Sequence, residues 1–323
     1  MDLSSRLAHL LIENVACIGA GMIGSSWASL FAMHGCKVTI QDLNQELLDK
    51  AMIRVRRNCV FLAEQGLANG QDPNAALGQV TTTTNLSEAV ASAGYVQESA
   101  FESYKVKEAV FKEVDAAAPK STIIASSSSG LLITRLQKVT RRPERCIVAH
   151  PFNPPHLIPL VELVKGKKTS DDTVARTYEF MELLAKVPIV LKKEVYWYAA
   201  NRLQAALWRE AVDLVDQGVL TVEDVDKALT AGPGLRWALM GPYLCHHLAD
   251  CGGVKVMIEK YAQVNSVVWG SMRTWKTISK KAAKKVVKGV DSMVMVRSKT
   301  REEIERWRDI KLVRLLKVLR DDP

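Results

Sequence analysis

One short segment limits the possible folds of this chain more than any other. Gly19-Ala20-Gly21-Met22-Ile23-Gly24 directly follows the apolar run Val15 to Ile18 and opens an amphipathic stretch through Trp27, Leu30 and Phe31. A G-x-G-x-x-G string alone is weak evidence, but between a strand and a helix each glycine has a mechanical reason. The first makes a tight turn, the second admits a pyrophosphate to the backbone, and the third lets helix and strand pack closely. Phosphates would lie at the helix N-terminus, where unpaired N–H groups and the helix dipole favour negative charge. Asp42, 18 residues beyond Gly24, is placed to accept from adenosine ribose hydroxyls and to repel a 2′-phosphate. NAD is the expected cofactor; the plainer alternative is a strand, turn and helix with an acidic cap.

The same alternation continues. Strands are expected at Val15 to Ile18, Lys37 to Gln41, Val80 to Thr82, Tyr95 to Gln97, Thr122 to Ala125 and Cys146 to His150, with helices such as Gln45 to Glu64 and Lys105 to Ala117 between them. That pattern predicts an α/β fold: a Rossmann-type, doubly wound parallel sheet. Two further strand-like runs, Ile158 to Val164 and Pro188 to Leu191, flank a helical stretch from Asp172 to Ala185. From Val195 the chain reads as helix almost throughout, with Gly218 closing the first long segment and Thr221 with Asp224 opening the next. The expected domains are 1–193, binding NAD, and an all-α C-terminal domain, 194–323, for substrate and dimerisation.

Composition narrows the classes. With 323 residues, 48% hydrophobic and 24% charged, the chain can bury a full core and is neither disordered nor fibrous. No apolar run reaches the roughly 20 residues of a membrane span. The six cysteines form no C-x-x-C pair, so free thiols in a reducing, cytoplasmic setting are expected. The short stretch before the first strand leaves little room for a transit segment. Of the net charge of +9, seven cations without an acid lie between Arg273 and Lys288. Trp275, Ile278, Ala282, Val286 and Val290 recur there near helical spacing, so a solvated helix face is the reading preferred over a nucleic-acid patch. Cys245, His246, His247 and Cys251 match zinc in residue type but not in spacing, and no metal is expected. Tyr196, Trp197 and Tyr198, at helical distances from Trp208, read as core or subunit interface.

The catalytic candidates cluster in Cys146-Ile-Val-Ala-His150-Pro-Phe-Asn153-Pro-Pro-His156, followed by Ile158 to Val164 with Glu162 inside it. Three prolines in five residues exclude a helix and favour a rigid turn, after which Glu162 could return beside His150. A carboxylate on one ring nitrogen fixes the tautomer and raises basicity, which suits an imidazole to take a hydroxyl proton. The competing reading is a core histidine with a separate glutamate. Ser129 follows a strand at the carboxyl edge of the sheet, as a ligand contact or as a helix N-cap before Leu131.

These segments, together with Ser126 to Ser129, Lys193-Glu-Val195, Asn201-Arg-Leu-Gln204, Gly232-Pro-Gly-Leu-Arg236 and Arg306-Trp-Arg-Asp309, resemble the 3-hydroxyacyl-CoA dehydrogenase superfamily, and within it the lambda-crystallin or L-gulonate 3-dehydrogenase branch. The resemblance runs from about residue 14 to 320. It implies that His150 is the acid/base and Glu162 its partner. Ser129 and Asn201 would contact the substrate hydroxyl and the imidazole, and Asn153 would be a further site residue. Glu98-x-x-x-Glu102-x-x-x-x-Lys107 resembles the family's nicotinamide-side pattern, with a helix-surface ion pair between Glu102 and Lys107 as the equal alternative. Arg236 is the candidate for a substrate carboxylate, and His247 for an approach to the substrate. The run of four serines departs from the Asn and Thr often found in that loop. The implied activity is NAD-dependent oxidation of the 3-hydroxyl of a polar hydroxy acid, L-gulonate first, by a homodimer. A 3-hydroxyacyl-CoA, 3-hydroxybutyrate or carnitine dehydrogenase is the alternative, and a structural crystallin-type protein is the rival from another class.

Overall fold

The computed structural model describes residues 3–10, 12–68 and 70–320, in two compact units, Met1–Asn201 and Arg202–Pro323. The first unit is built on eight strands: β1 (Asn14–Ile18), β2 (Lys37–Gln41), β3 (Val80–Thr83), β4 (Tyr95–Glu98), β5 (Ile123–Ser126), β6 (Cys146–Pro151), β7 (Leu160–Lys165) and β8 (Val187–Leu191). They form one sheet in the order β3-β2-β1-β4-β5-β6-β7-β8. All neighbours are parallel except β6 and β7, the antiparallel pair joined by the proline-rich turn. The chain order reverses between β1 and β4, and it is at the carboxyl ends of strands flanking such a reversal that open α/β sheets bind ligands.

Local sequence accounts for the helices that cover the sheet. Gln45–Glu64 starts at Asn44, whose side chain accepts from the Leu47 amide, and it buries Leu48, Ala51, Val55, Cys59 and Leu62 at helical spacing. Tyr104–Ala117 starts at Ser103 and buries Lys107, Phe111 and Val114. On one face Trp27 stacks on Phe31 at 5.3 Å, Phe31 on Phe180 at 5.7 Å, and Phe180 meets Tyr95 at 4.9 Å. The helix that leaves the glycine loop is thereby fixed to the sheet by large aromatic contacts.

The second unit is all helical, from the remainder of Ala200–Gln217 to Arg301–Arg320. Gly218, at φ 76°, ends its first helix, and the Thr221 side chain caps Val222–Thr230. The basic segment forms the helix Lys280–Ser292 with Ala282 buried, while Arg273 and Lys276 precede it. Arg273 and Lys285 both pair with Asp216. Helix does not begin at Val195 as expected: Trp197 and Tyr198 are left-handed, at φ 64° and 47°, and the helix starts at Ala200. Neither the aromatic triplet nor its spacing to Trp208 is therefore helical; Tyr198 is buried, and Tyr196 and Trp197 are exposed.

Candidate active site

The glycine loop carries out three separate tasks. Gly19 takes φ 98°, and a Cβ there would lie 2.7 Å from the Ser99 backbone; at Gly24 a Cβ would lie 1.8 Å from the Gly19 carbonyl oxygen. At Gly21 a Cβ would meet no protein atom within 4 Å. That space, together with a Gly21 N-cap that supplies no side-chain hydrogen bond to the helix Met22–Met33, fits a pyrophosphate on the exposed amides. Met22 and Ile23 form the first turn. Asp42 ends up within the loop's own framework: Oδ2 accepts from the Ala20 amide at 2.6 Å and Oδ1 from the Leu43 amide at 2.7 Å. Arg54 holds the other side of the same residue, donating to the Ala20 carbonyl at 2.7 Å. Each Asp42 oxygen keeps a lone pair for a ribose hydroxyl.

At the ends of β6 and β7, His150 and Glu162 stand directly opposite in the antiparallel register, with Nδ1 to Oε2 at 2.8 Å and both side chains buried. The separate-residues alternative does not hold. The other Glu162 oxygen accepts from the amides of Ala199 and Ala200 at 2.9 and 3.0 Å, at the start of the helix Ala200–Gln217. Burial acts to raise the Glu162 carboxyl, but hydrogen bonds from His150, Ala200 and Ala199 outweigh it and hold the carboxyl below its ordinary value. A carboxylate can only accept, so Nδ1 carries a proton, and in the neutral imidazole the lone pair is on Nε2. Phe152 and Tyr198 pack against the imidazole at 5.5 and 5.3 Å.

The serine loop is held from below by a buried charge cluster that sequence reading only grazed. Lys107 donates to both oxygens of Glu98, at 2.7 and 2.9 Å, and to the Ala100 carbonyl at 3.1 Å, which uses its three N–H bonds. Glu102 lies 3.4 Å from the same ammonium. The ion pair between Glu102 and Lys107 is therefore present, but not on a helix surface: Lys107 is fully buried and Glu102 sits in the loop before the helix. The serines divide their work. Ser126 donates to Glu98, Ser127 accepts from Trp27 and Gln97, and Ser128 donates to Glu102. Ser128 also accepts from the Leu131 amide within the loop, and the expected N-cap at Ser129 is absent: the next helix, Ile133–Leu136, has Leu132 at its N-cap and no side-chain cap bond. Ser129 instead gives its amide to Glu102 and its carbonyl to Asn201 Nδ2, at 2.9 and 3.0 Å.

The site therefore brings together His150, Glu162, Ser129, Asn201, Glu102 and Lys107. Asn153 is exposed on the turn after β6. Arg236 is exposed in the helix Pro233–Leu239 of the second unit, and there His247 Nδ1 accepts from the Val254 amide. Glu98 is the buried group the sequence did not single out. Burial pushes the Cys36 and Cys146 thiols up to about 12, which makes them unreactive. Among the described residues no helix is long and apolar enough to cross a membrane.

The family described as 3-hydroxyacyl-CoA dehydrogenase, NAD binding domain, matches residues 14–195, and the C-terminal domain of that enzyme family matches residues 198–289. L-carnitine dehydrogenase of Oceanobacillus iheyensis is 37% identical over 311 residues, 96% of this chain and 99% of that protein. L-carnitine dehydrogenase of Streptomyces coelicolor is 42% identical over 259 residues, 80% of each chain. The crystal structure of 5-formyl-3-hydroxy-2-methylpyridine 4-carboxylic acid 5-dehydrogenase, an NAD+-dependent dismutase, is 30% identical with a TM-score of 0.83, covering 97% of this chain and 100% of that one.

Proposed function

This chain belongs to the 3-hydroxyacyl-CoA dehydrogenase family and is an NAD-dependent 3-hydroxy acid dehydrogenase, and on that premise we propose that its substrate is L-carnitine. The observation that carries the choice of acid is the name shared by relatives matched over nearly the whole chain. Those relatives favour the carnitine alternative over the L-gulonate expected from the sequence, which finds no support among them.

The proton chemistry follows from the strand pair. Glu162 accepts from Nδ1, which leaves Nε2 of His150 to take the proton of the 3-hydroxyl. NAD, when bound, accepts the hydride that leaves the same carbon. The amides of Ala199 and Ala200 fix Glu162, so the imidazole is oriented before substrate arrives. Ser129 and Asn201, joined through the Ser129 carbonyl, are the proposed positioning groups for the hydroxyl. Asn153 is a proposed further contact. Arg236 is the proposed partner of the substrate carboxylate, because a guanidinium binds such groups in a planar, two-pronged manner.

A second copy of this chain is the proposed cover for the apolar surface of the helical unit. Leu203, Leu207 and Trp208 on one helix and Val267, Val268 and Trp269 on another are exposed, and clustered exposed apolar side chains mark surfaces that another chain covers. Sedimentation at micromolar concentration should give a dimer; a monomer there removes this part of the proposal.

The substrate is decided by NAD reduction measured across L-carnitine, L-gulonate, 3-hydroxybutyrate and 3-hydroxyacyl-CoA thioesters. L-carnitine should have the highest kcat/KM. A thioester or L-gulonate above it overturns the assignment.

A further inference from the structure

L-carnitine carries a trimethylammonium cation that neither His150 nor Glu162 recognises. Such a cation has no N–H to donate, so it is bound by aromatic faces and by nearby negative charge. Both stand beside the serine loop.

Trp197 is 58% exposed. Its indole nevertheless presses on Gly130, where an added Cβ would lie 2.8 Å from Cδ2 and 3.0 Å from Cε3. Two successive bulky residues in the left-handed region are sterically costly and persist only where packing holds them. Tyr198 provides that packing: it is buried, its hydroxyl donates to the Leu131 carbonyl at 2.6 Å, and its ring lies 5.3 Å from His150. The turn thus fixes the indole one residue away from a ring that touches the catalytic imidazole.

Glu102 holds the adjacent residue of the same loop. Its Oε1 accepts from the Ser129 amide, and the next residue, Gly130, is the one the indole covers. Glu102 shares Lys107 with Glu98, so two carboxylates and one ammonium leave one formal negative charge. Of these Glu102 is the exposed member, at 38% against 1% for Lys107 and 0% for Glu98.

We propose that the indole of Trp197, with the Glu102 carboxylate bound to the neighbouring residue of the loop, is the subsite for a quaternary ammonium group, the trimethylammonium of L-carnitine. The inference rests on the substrate reading given under Proposed function. It makes Trp197 a specificity-determining residue, since 3-hydroxybutyrate and thioesters present no cation there.

The test uses L-carnitine and its uncharged isostere 3-hydroxy-5,5-dimethylhexanoate, in which carbon replaces the nitrogen. Wild-type enzyme should prefer L-carnitine. In Trp197→Leu the ratio of kcat/KM for the two should fall by about tenfold, through KM more than kcat, and Trp197→Phe should retain more of it. If L-carnitine is oxidised and the ratio is unchanged in Trp197→Leu, the inference is overturned. If the wild type does not oxidise L-carnitine, it is the substrate reading that fails. Should the variants not fold, choline is compared with 3,3-dimethylbutanol as an inhibitor of the wild type. Several-fold tighter inhibition by choline supports the subsite, and equal inhibition overturns it.

Discussion

Lys107 donates to both carboxylate oxygens of Glu98, and neither side chain reaches solvent. A buried pair of this kind contributes little net stability over an apolar replacement, but loss of one partner leaves an uncompensated charge. Lys107→Met should therefore destabilise the first unit by about 3–5 kcal/mol. Glu98→Gln in the same background should recover part of that. Urea midpoints decide it: a double variant no more stable than Lys107→Met would show that the pair is not the source of the loss.

His150→Gln should lower kcat by about 10²–10⁴-fold while the affinity for NADH, read by fluorescence titration, stays near the wild-type value. The nucleotide's proposed contacts at Gly21 and Asp42 lie on other elements. Near-normal turnover in this variant would move the proton-transfer role to another residue.

The Glu162 carboxyl is held below its ordinary value, so it contributes stability that is fully present above the unfolded glutamate value of about 4.3 and is lost as the pH falls through the lower folded value. The difference in Tm between wild type and Glu162→Gln should be constant from neutral pH to about 5 and shrink below about 4. A difference independent of pH would mean that the hydrogen bonds from His150 and the two amides do not favour the ionised form.

Gly21 and Gly24 should respond oppositely to alanine. Gly21→Ala places its Cβ where no protein atom stands, so Tm should hold while NADH binding weakens. Gly24→Ala drives its Cβ into the Gly19 carbonyl and should lower Tm in the absence of any nucleotide. Equal losses of stability in the two would contradict the division of work within the loop.

Much of this was legible in the sequence because strands and helices have periods and turns have composition. Lys37–Gln41 and Gln45–Glu64 lie where the pattern puts them, and the prolines after His150 are enough to bring Glu162 back across a strand pair. Glu98 was not legible. It ends the strand Tyr95–Glu98, whose residue types do not mark it as buried, and its partner lies nine residues on, a spacing with no helical or strand meaning. The left-handed turn at Trp197 and Tyr198 was missed for a related reason: positive φ is signalled by glycine or asparagine, and here tertiary contacts impose it on two aromatics. That the hydroxyl of Ser128, not Ser129, holds the Leu131 amide depends on the exact phase of a four-serine run, which composition cannot resolve.

The peptide groups of Ala20 are clamped on both sides, by Asp42 at the amide and by Arg54 at the carbonyl. The conformational entropy of the phosphate loop is therefore surrendered when the chain folds, and little of it remains to be lost when a dinucleotide arrives. The same clamp couples cofactor choice to loop rigidity. An attempt to redirect the enzyme to a 2′-phosphorylated nucleotide by replacing Asp42 would remove the proposed repulsive charge and, in the same step, unfasten the loop proposed to hold the pyrophosphate. A successful exchange of cofactor would need a second substitution to restore an acceptor for the Ala20 amide.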